Sequence, residues 1–329
     1  MGLGLKLQNE LPLRDNVLLA RYAEARGLDS VWTSEYRSEA VIPMAAYAAA
    51  TERVTVGSSI IPLYTRSIPA LATTAAGLEA LAPGRVVLGL GTSSPVIVER
   101  WHGVPRARPL RAMAEHVAAL KRLLAGERLD FDGEVVRVKG FELDVAEAPR
   151  TPVHVAALGR PMLAVAGREA DGALLNAAPF SHLPAMRQAL DGAARQAGRS
   201  DRLRLAGDVR IGIGTGARAE RLRRRLRENV AYYATTKAYN SFFAEAGYTA
   251  QAAALKAAWA DRDRDRAFAA VDDEMLDDLV LVGDESAVAE RIAEVAEVLD
   301  TVILFPTWED EGAAAATQRL IEIAAEVAP

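Results

Sequence analysis

The chain of 329 residues contains no cysteine. Disulfides, thiolate nucleophiles and Cys-ligated metals are therefore excluded. Histidine is scarce, with only His102, His116, His154 and His182, and no two of them stand in a metal-binding spacing. Lysine is scarce too: of 39 basic residues, only Lys6, Lys121, Lys139, Lys237 and Lys256 are lysines. The formal net charge is −5, which leaves no electrostatic footprint for nucleic acid or an anionic membrane. No apolar run approaches the ~20 residues of a membrane span, and the first residues lack the apolar stretch of a signal peptide. These absences point to a cytoplasmic protein whose partner is a small molecule.

What the sequence does contain is an alternation of strand and helix signals. It is clearest over residues 54–95. Residues 54–59 are apolar and β-branched, as in a buried parallel strand. Pro69 marks a helix start, residues 70–81 are good helix formers, and Pro83-Gly84 stops them. A second strand, 86–90, empties into Gly91-Thr92-Ser93-Ser94-Pro95. Both strands end in loops of small or hydroxylated residues. In a (β/α)8 barrel the loops after the strands form the active face.

The remaining strands are read at 3–7, 30–33, 152–156, 172–175, 205–213, 279–282 and 301–305, with helices between them. The first strand ends at Gln8, the second at Glu35 and Tyr36. Residues 126–148 read as an excursion, a hairpin turning at Asp132-Gly133. Residues 218–278 read as a helical insertion. It carries a basic face (Arg221, Arg223, Arg224, Arg225, Arg227), taken as solvated, and an aromatic cluster with Tyr239 and Phe242. The fold expected is α/β, a (β/α)8 TIM barrel with insertions, in one domain over 1–329. Trp101 and His102 follow the fourth strand. With Gln8 and Tyr239 they are candidates for a substrate pocket. His116 and His154 fall inside a helix and a strand and are read as structural.

Several separated pieces together resemble one family. They are Gly27-Leu28-Asp29-Ser30-Val31-Trp32 with Glu35, GSSIIPLYTRSIP at 57–69, and Pro83-Gly84-Arg85 before Leu88-Gly89-Leu90-Gly91-Thr92. AALGRP at 156–161, AGREADG at 166–172, Asn176, Gly283-Asp284 and VILFP at 302–306 follow in order. The set resembles the bacterial luciferase-like superfamily, in the branch that uses the deazaflavin coenzyme F420. The resemblance implies a bulge with a cis peptide at Ser59–Ile60 that backs the cofactor ring. It implies that Thr92 meets the ring's polar edge, that Ala156, Ala157, Leu158 and Gly159 meet the phosphodiester, and that Asn176 and Glu35 lie on the same side. Sugar-phosphate dehydrogenases of the family carry a histidine and an acid where this chain has Tyr36 and Ser94. Glu35, Tyr36 and Ser94 remain the candidates for proton handling.

The activity the resemblance implies is hydride transfer between deazaflavin C5 and a small organic substrate. Two alternatives keep the barrel: an FMN-dependent monooxygenase, and a non-catalytic binder of F420 or flavin. The resemblance also implies a homodimer, packed through the small-residue helices at 43–51 and 70–81.

Overall fold

The computed structural model describes residues 2–327. Its strands, in chain order, are β1 (Gly2–Lys6), β2 (Ser30–Thr33), β3 (Thr55–Ser58), β4 (Ile61–Pro62), β5 (Val86–Gly91) and β6 (Leu129–Asp132). Then come β7 (Arg137–Phe141), β8 (Val153–Ala156), β9 (Gly172–Asn176), β10 (Arg204–Ile213), β11 (Val280–Gly283) and β12 (Thr301–Thr307). Eight of them, β1, β2, β3, β5, β8, β9, β10 and β12, pair in parallel around a closed ring. Helices surround it. This is the (β/α)8 barrel expected from the sequence. The short β4 pairs with β5, and β11 pairs with the outer half of β10.

Both faces of the ring are buried, so the strands are apolar on both. Leu3, Leu5 and Leu7 belong to the outer shell, against the helices. The axial face holds a separate cluster of Trp32, Val87, Leu174, Ala206 and Ile303, with Ile60 packed on it. Trp32 lies over its neighbouring strands so closely that a β-carbon on Gly57, its partner on β3, would lie 2.3 Å from its ring. Side chains alternate along a strand, so the next inward residue lies two positions on. Two positions on from Leu174, Ala206 and Ile303 are therefore Asn176, Asp208 and Phe305, and Lys6 likewise follows Gly4, which faces Trp32.

Ser67 caps the helix Ile68–Leu81, accepting from the Ala70 N–H at 3.3 Å, with Pro69 in the first turn. β6 and β7 form the expected hairpin in a sheet of their own. Its turn is wider than Asp132-Gly133: the Gly133 N–H donates to Val136 O at 2.8 Å. Glu115, on the helix Pro109–Leu124, sets that width by accepting from the N–H groups of Glu134, Val135 and Val136 at 2.8–3.0 Å. Burial by itself would raise the Glu115 pKa, but these backbone donors hold it below the ordinary value.

Between β10 and β11 run the helices Gly216–Tyr233, Lys237–Glu245, Thr249–Ala260, Arg264–Ala269 and Asp273–Asp277. The arginine face read as solvated is largely paired. Arg223 and Arg227 both bond Asp273, and Arg223 also bonds Asp277. Arg221 bonds Asp310, while Arg225 donates to Trp308 O and lies 4.9 Å over its ring. The helix thus gathers the far end of the insertion and the segment after β12. Phe242, in the insertion's aromatic cluster, is 2 % exposed and packs against His182. Among the described residues, no helix is long and apolar enough to cross a membrane, and no acid and histidine cluster is placed to hold a metal.

His154, on β8, is buried and its Nδ1 has no partner. Burial pushes its pKa down to about 4, although Asp171 pulls the other way. A folded-state pKa below the unfolded one makes its share of stability complete above about pH 6.5 and lost as pH falls towards 4, by up to about 3 kcal/mol. His154→Leu is expected to lose less stability on acidification than the wild type. Urea unfolding at neutral pH and between those two values checks this; parallel losses in both proteins would refute it.

Candidate active site at the mouth of the barrel

The C-terminal ends of the barrel strands open into a mouth lined by two polar networks and one apolar patch. The patch begins just past β3, where the Ser59–Ile60 peptide bond is cis, as the resemblance implies. Ile60 lies against Gly91, on which a β-carbon would fall 2.6 Å from Ile60 and 3.4 Å from Ala156. Ile60, Gly91 and Ala156 therefore converge on one surface. Ser58 ties this segment to β5: its hydroxyl donates to Gly89 O at 3.1 Å and accepts from the Gly89 N–H at 2.9 Å.

The first network lies beside the patch. Lys6 Nζ donates to Ser59 O at 2.5 Å and to Asp208 Oδ2 at 3.0 Å. Ser59 Oγ is 3.3 Å from each Asp208 oxygen. The Lys6 and Asp208 side chains are only 2 % and 5 % exposed. In the second network, Asn176 donates to the Tyr239 hydroxyl at 2.6 Å and accepts from the Tyr233 hydroxyl at 3.4 Å. Arg210 donates to Tyr233 at 2.5 Å and lies 4.1 Å over the Phe305 ring. Burial raises the Tyr239 phenol well above its ordinary range, so it stays neutral.

The hydroxylated loop after β5 is less free than its composition suggests. Arg106 donates to the Thr92 hydroxyl and to the Thr92 and Ser93 carbonyls, each at 3.1 Å. Ser94 Oγ accepts from the Ile97 N–H at 3.3 Å, at the start of the π-helical turn Val96–Trp101. Glu35 is held by one Arg66 nitrogen at 2.6 and 2.7 Å, and its backbone N–H donates to Ile60 O at 3.1 Å. Tyr36 stands on the rim, 53 % exposed, with its ring 5.4 Å from Trp101. Glu35, Tyr36, Arg66 and His102 line an open cavity of about 500 Å³. Gln8 is buried and donates to Pro306 O at 2.8 Å, so it braces β12.

Gly159 occupies the N-cap position of the helix Arg160–Glu169, and no side chain caps that helix. Its first N–H groups and its dipole suit an anion. Leu158 packs against the core and Ala157 is buried. Arg160 stands 3.8 Å from Glu245, on the insertion.

Of the residues picked out in the sequence, Ser59, Ile60, Ala156, Asn176 and Tyr239 face one mouth. Tyr36, Trp101 and His102 are on its rim. Lys6, Asp208 and Arg210 are in the mouth and were not picked out. The one available signal was Asp208, a charged residue two positions beyond the inward Ala206 on the same strand; Lys6 follows Gly4 and Arg210 follows Asp208, and neither carries that mark.

Residues 2–302 match the luciferase-like monooxygenase family, and the chain belongs to that family. It is 30 % identical over 202 residues to a 5,10-methylenetetrahydromethanopterin reductase of Methanolobus tindarius, a match that spans 60 % of this chain and 61 % of the reductase. It is 29 % identical over 320 residues to a putative coenzyme F420-dependent oxidoreductase of Mycobacterium tuberculosis, covering 89 % of this chain and 90 % of that one. Among solved structures it superposes on the F420-dependent tetrahydromethanopterin reductase of Methanopyrus kandleri with a TM-score of 0.80, at 20 % identity over 99 % of this chain and 97 % of that one. It also superposes on the oxygenating constituent of a Pseudomonas putida diketocamphane monooxygenase in complex with FMN, with a TM-score of 0.69 at 18 % identity over 99 % and 98 % of the two chains. At such identities the likeness is one of fold.

Gly89 leaves no room for a side chain, since a β-carbon there would lie 1.9 Å from Ser58 O. Gly89→Ala must shift backbone, not a flexible side chain. It is expected to cost about 1–3 kcal/mol, as overpacking does. Thermal unfolding measures this; an unchanged melting temperature would mean that the Ser58 segment is not held as described.

Proposed function

We propose that this chain is an F420-dependent oxidoreductase that passes a hydride between the deazaflavin C5 and a small organic substrate. The observation that carries this is a flat apolar patch and an uncapped helix N-terminus at the same end of the barrel. A planar ring needs the first and a phosphodiester the second. The likeness to a putative F420-dependent oxidoreductase over 89 % of the chain supports the choice of cofactor.

In this reading Ser59, Ile60, Gly91 and Ala156 form the bed of the ring. Ala157, Leu158 and Gly159 carry the chain to the phosphodiester, where Arg160 adds positive charge. Asn176, aligned by the neutral Tyr239, and Thr92, aligned by Arg106, meet polar edges. Glu35 holds the rim through Arg66. Bound in this bed, the deazaflavin supplies obligate two-electron chemistry. The chain's own part is to bind, orient and cover the ring and to exclude water, and the insertion covers it through Tyr233 and Tyr239. The substrate enters past Trp101 and His102. The protein acts in the cytoplasm as a homodimer, joined through the helices Val41–Ala50 and Ile68–Leu81, where Ile42 and Leu81 are exposed.

A second reading rests on the family match itself, which includes monooxygenases. The same bed accepts the isoalloxazine ring of FMN. Paired fluorescence titrations with F420 and FMN separate the two. Roughly micromolar F420 binding with weak FMN binding is expected. Gly159→Asp sharpens the test, because the new carboxylate caps the helix and repels an anion. Melting temperature should hold or rise while F420 affinity falls at least about tenfold, or ~1.4 kcal/mol. Tight binding of FMN alone moves the protein to the oxygen-using branch, and binding of neither removes the assignment. Cofactor binding with no turnover across a substrate panel favours a non-catalytic binder.

A further inference from the structure

We propose that Lys6 and Asp208 are positioning residues for the cofactor: a buried ion-pair clamp that holds Ser59 and so sets where Ile60 meets the ring. The proposal rests on the cofactor reading given above.

The clamp joins parts of the barrel that are not neighbours. Lys6 ends β1 and Asp208 lies in β10, with β12 between them in the ring. Ser59 follows β3, on the far side of β2. One ammonium therefore reaches past one strand on either side, to Ser59 O at 2.5 Å and to Asp208 at 3.0 Å. Asp208 closes the triangle through the Ser59 hydroxyl at 3.3 Å. Below it, the axis is filled by Trp32, Val87, Leu174, Ala206 and Ile303.

Stability does not account for two charges in this place. Burying an ion pair costs more desolvation than a well-packed apolar pair of the same volume would, and apolar replacement is often neutral or stabilising. What the pair provides is direction. The pair takes the carbonyl and the hydroxyl of Ser59, and Thr33 O takes its N–H at 2.7 Å, so Ile60, the next residue, is presented to the bed from a fixed point. The pair also sets two opposite charges in the layer on which the ring rests, so the absorption band of a bound deazaflavin reports whether that layer is intact.

Lys6→Met alone would strand the Asp208 carboxylate in the interior and threatens the fold. The informative protein is Lys6→Met/Asp208→Asn, which removes both charges and keeps similar volumes. It is expected to keep the wild-type circular dichroism and melting temperature. It should bind F420 at least about tenfold more weakly, with the band of the bound cofactor shifted from its wild-type position. Unchanged affinity and an unchanged band would overturn the proposal. So would a double variant that no longer folds, because the pair would then be a structural strut. Wild-type protein that binds no F420 overturns the function proposed above and takes the clamp's role with it. A wild type that binds and a double variant that binds equally well overturns the clamp alone.

Discussion

A closed ring of eight parallel strands leaves little space on its axis, and the rest of this structure depends on how that space is filled. Trp32 takes much of it, which is possible only because Gly57, beside it on β3, and Gly4, beside it on β1, have no side chains. Val87, Leu174, Ala206 and Ile303 complete the plug. The plug gives the mouth a floor at a set height. Because inward positions recur every second residue, the layer above it is chosen by the same register. Asn176, Asp208 and Phe305 stand there because Leu174, Ala206 and Ile303 stand below, and Lys6 because Gly4, which faces Trp32, stands below it.

The two ends of the barrel use polar side chains differently. At the N-terminal end, single carboxylates bind backbone where strands begin. Glu24 accepts from the N–H groups of Glu52, Arg53 and Val54, ahead of β3. Asp29 accepts from Leu3, Asp171 from Val153 and Asp300 from Leu205. Such bonds satisfy donors that would otherwise be lost at strand ends. At the mouth, side chains mostly bond to side chains, as in the Lys6–Asp208–Ser59 and Arg210–Tyr233–Asn176–Tyr239 groups. One end closes the fold and the other is left shaped for a ligand, the usual division of labour in such barrels.

Much of the site's backbone was legible in the chain, and much of its side-chain chemistry was not. The bed at Ser59–Ile60 and the uncapped turn at Gly159 were read through ordered motifs, because a turn needs particular residues in sequence. Thr92 and Ser94 looked like free hydroxyls, yet Arg106 and the Ile97 N–H engage them. Ser94 is engaged by a local i,i+3 turn, but Arg106, 14 positions from Thr92, lies beyond any local pattern. The arginines of the helix Gly216–Tyr233 looked solvated for the same reason: Asp273, Asp277 and Asp310 reach them from elsewhere in the chain.

The sequence by itself determined the order of strands and helices, and from it the barrel. Period, β-branching and Gly/Pro punctuation act over a few residues and need no distant contact. The tertiary structure alone decided which charges meet. Lys6 and Asp208 are 202 positions apart, and no local pattern marks the two as partners. Their pairing follows from ring closure and strand register, which fix the geometry of the axis only after every strand is in place.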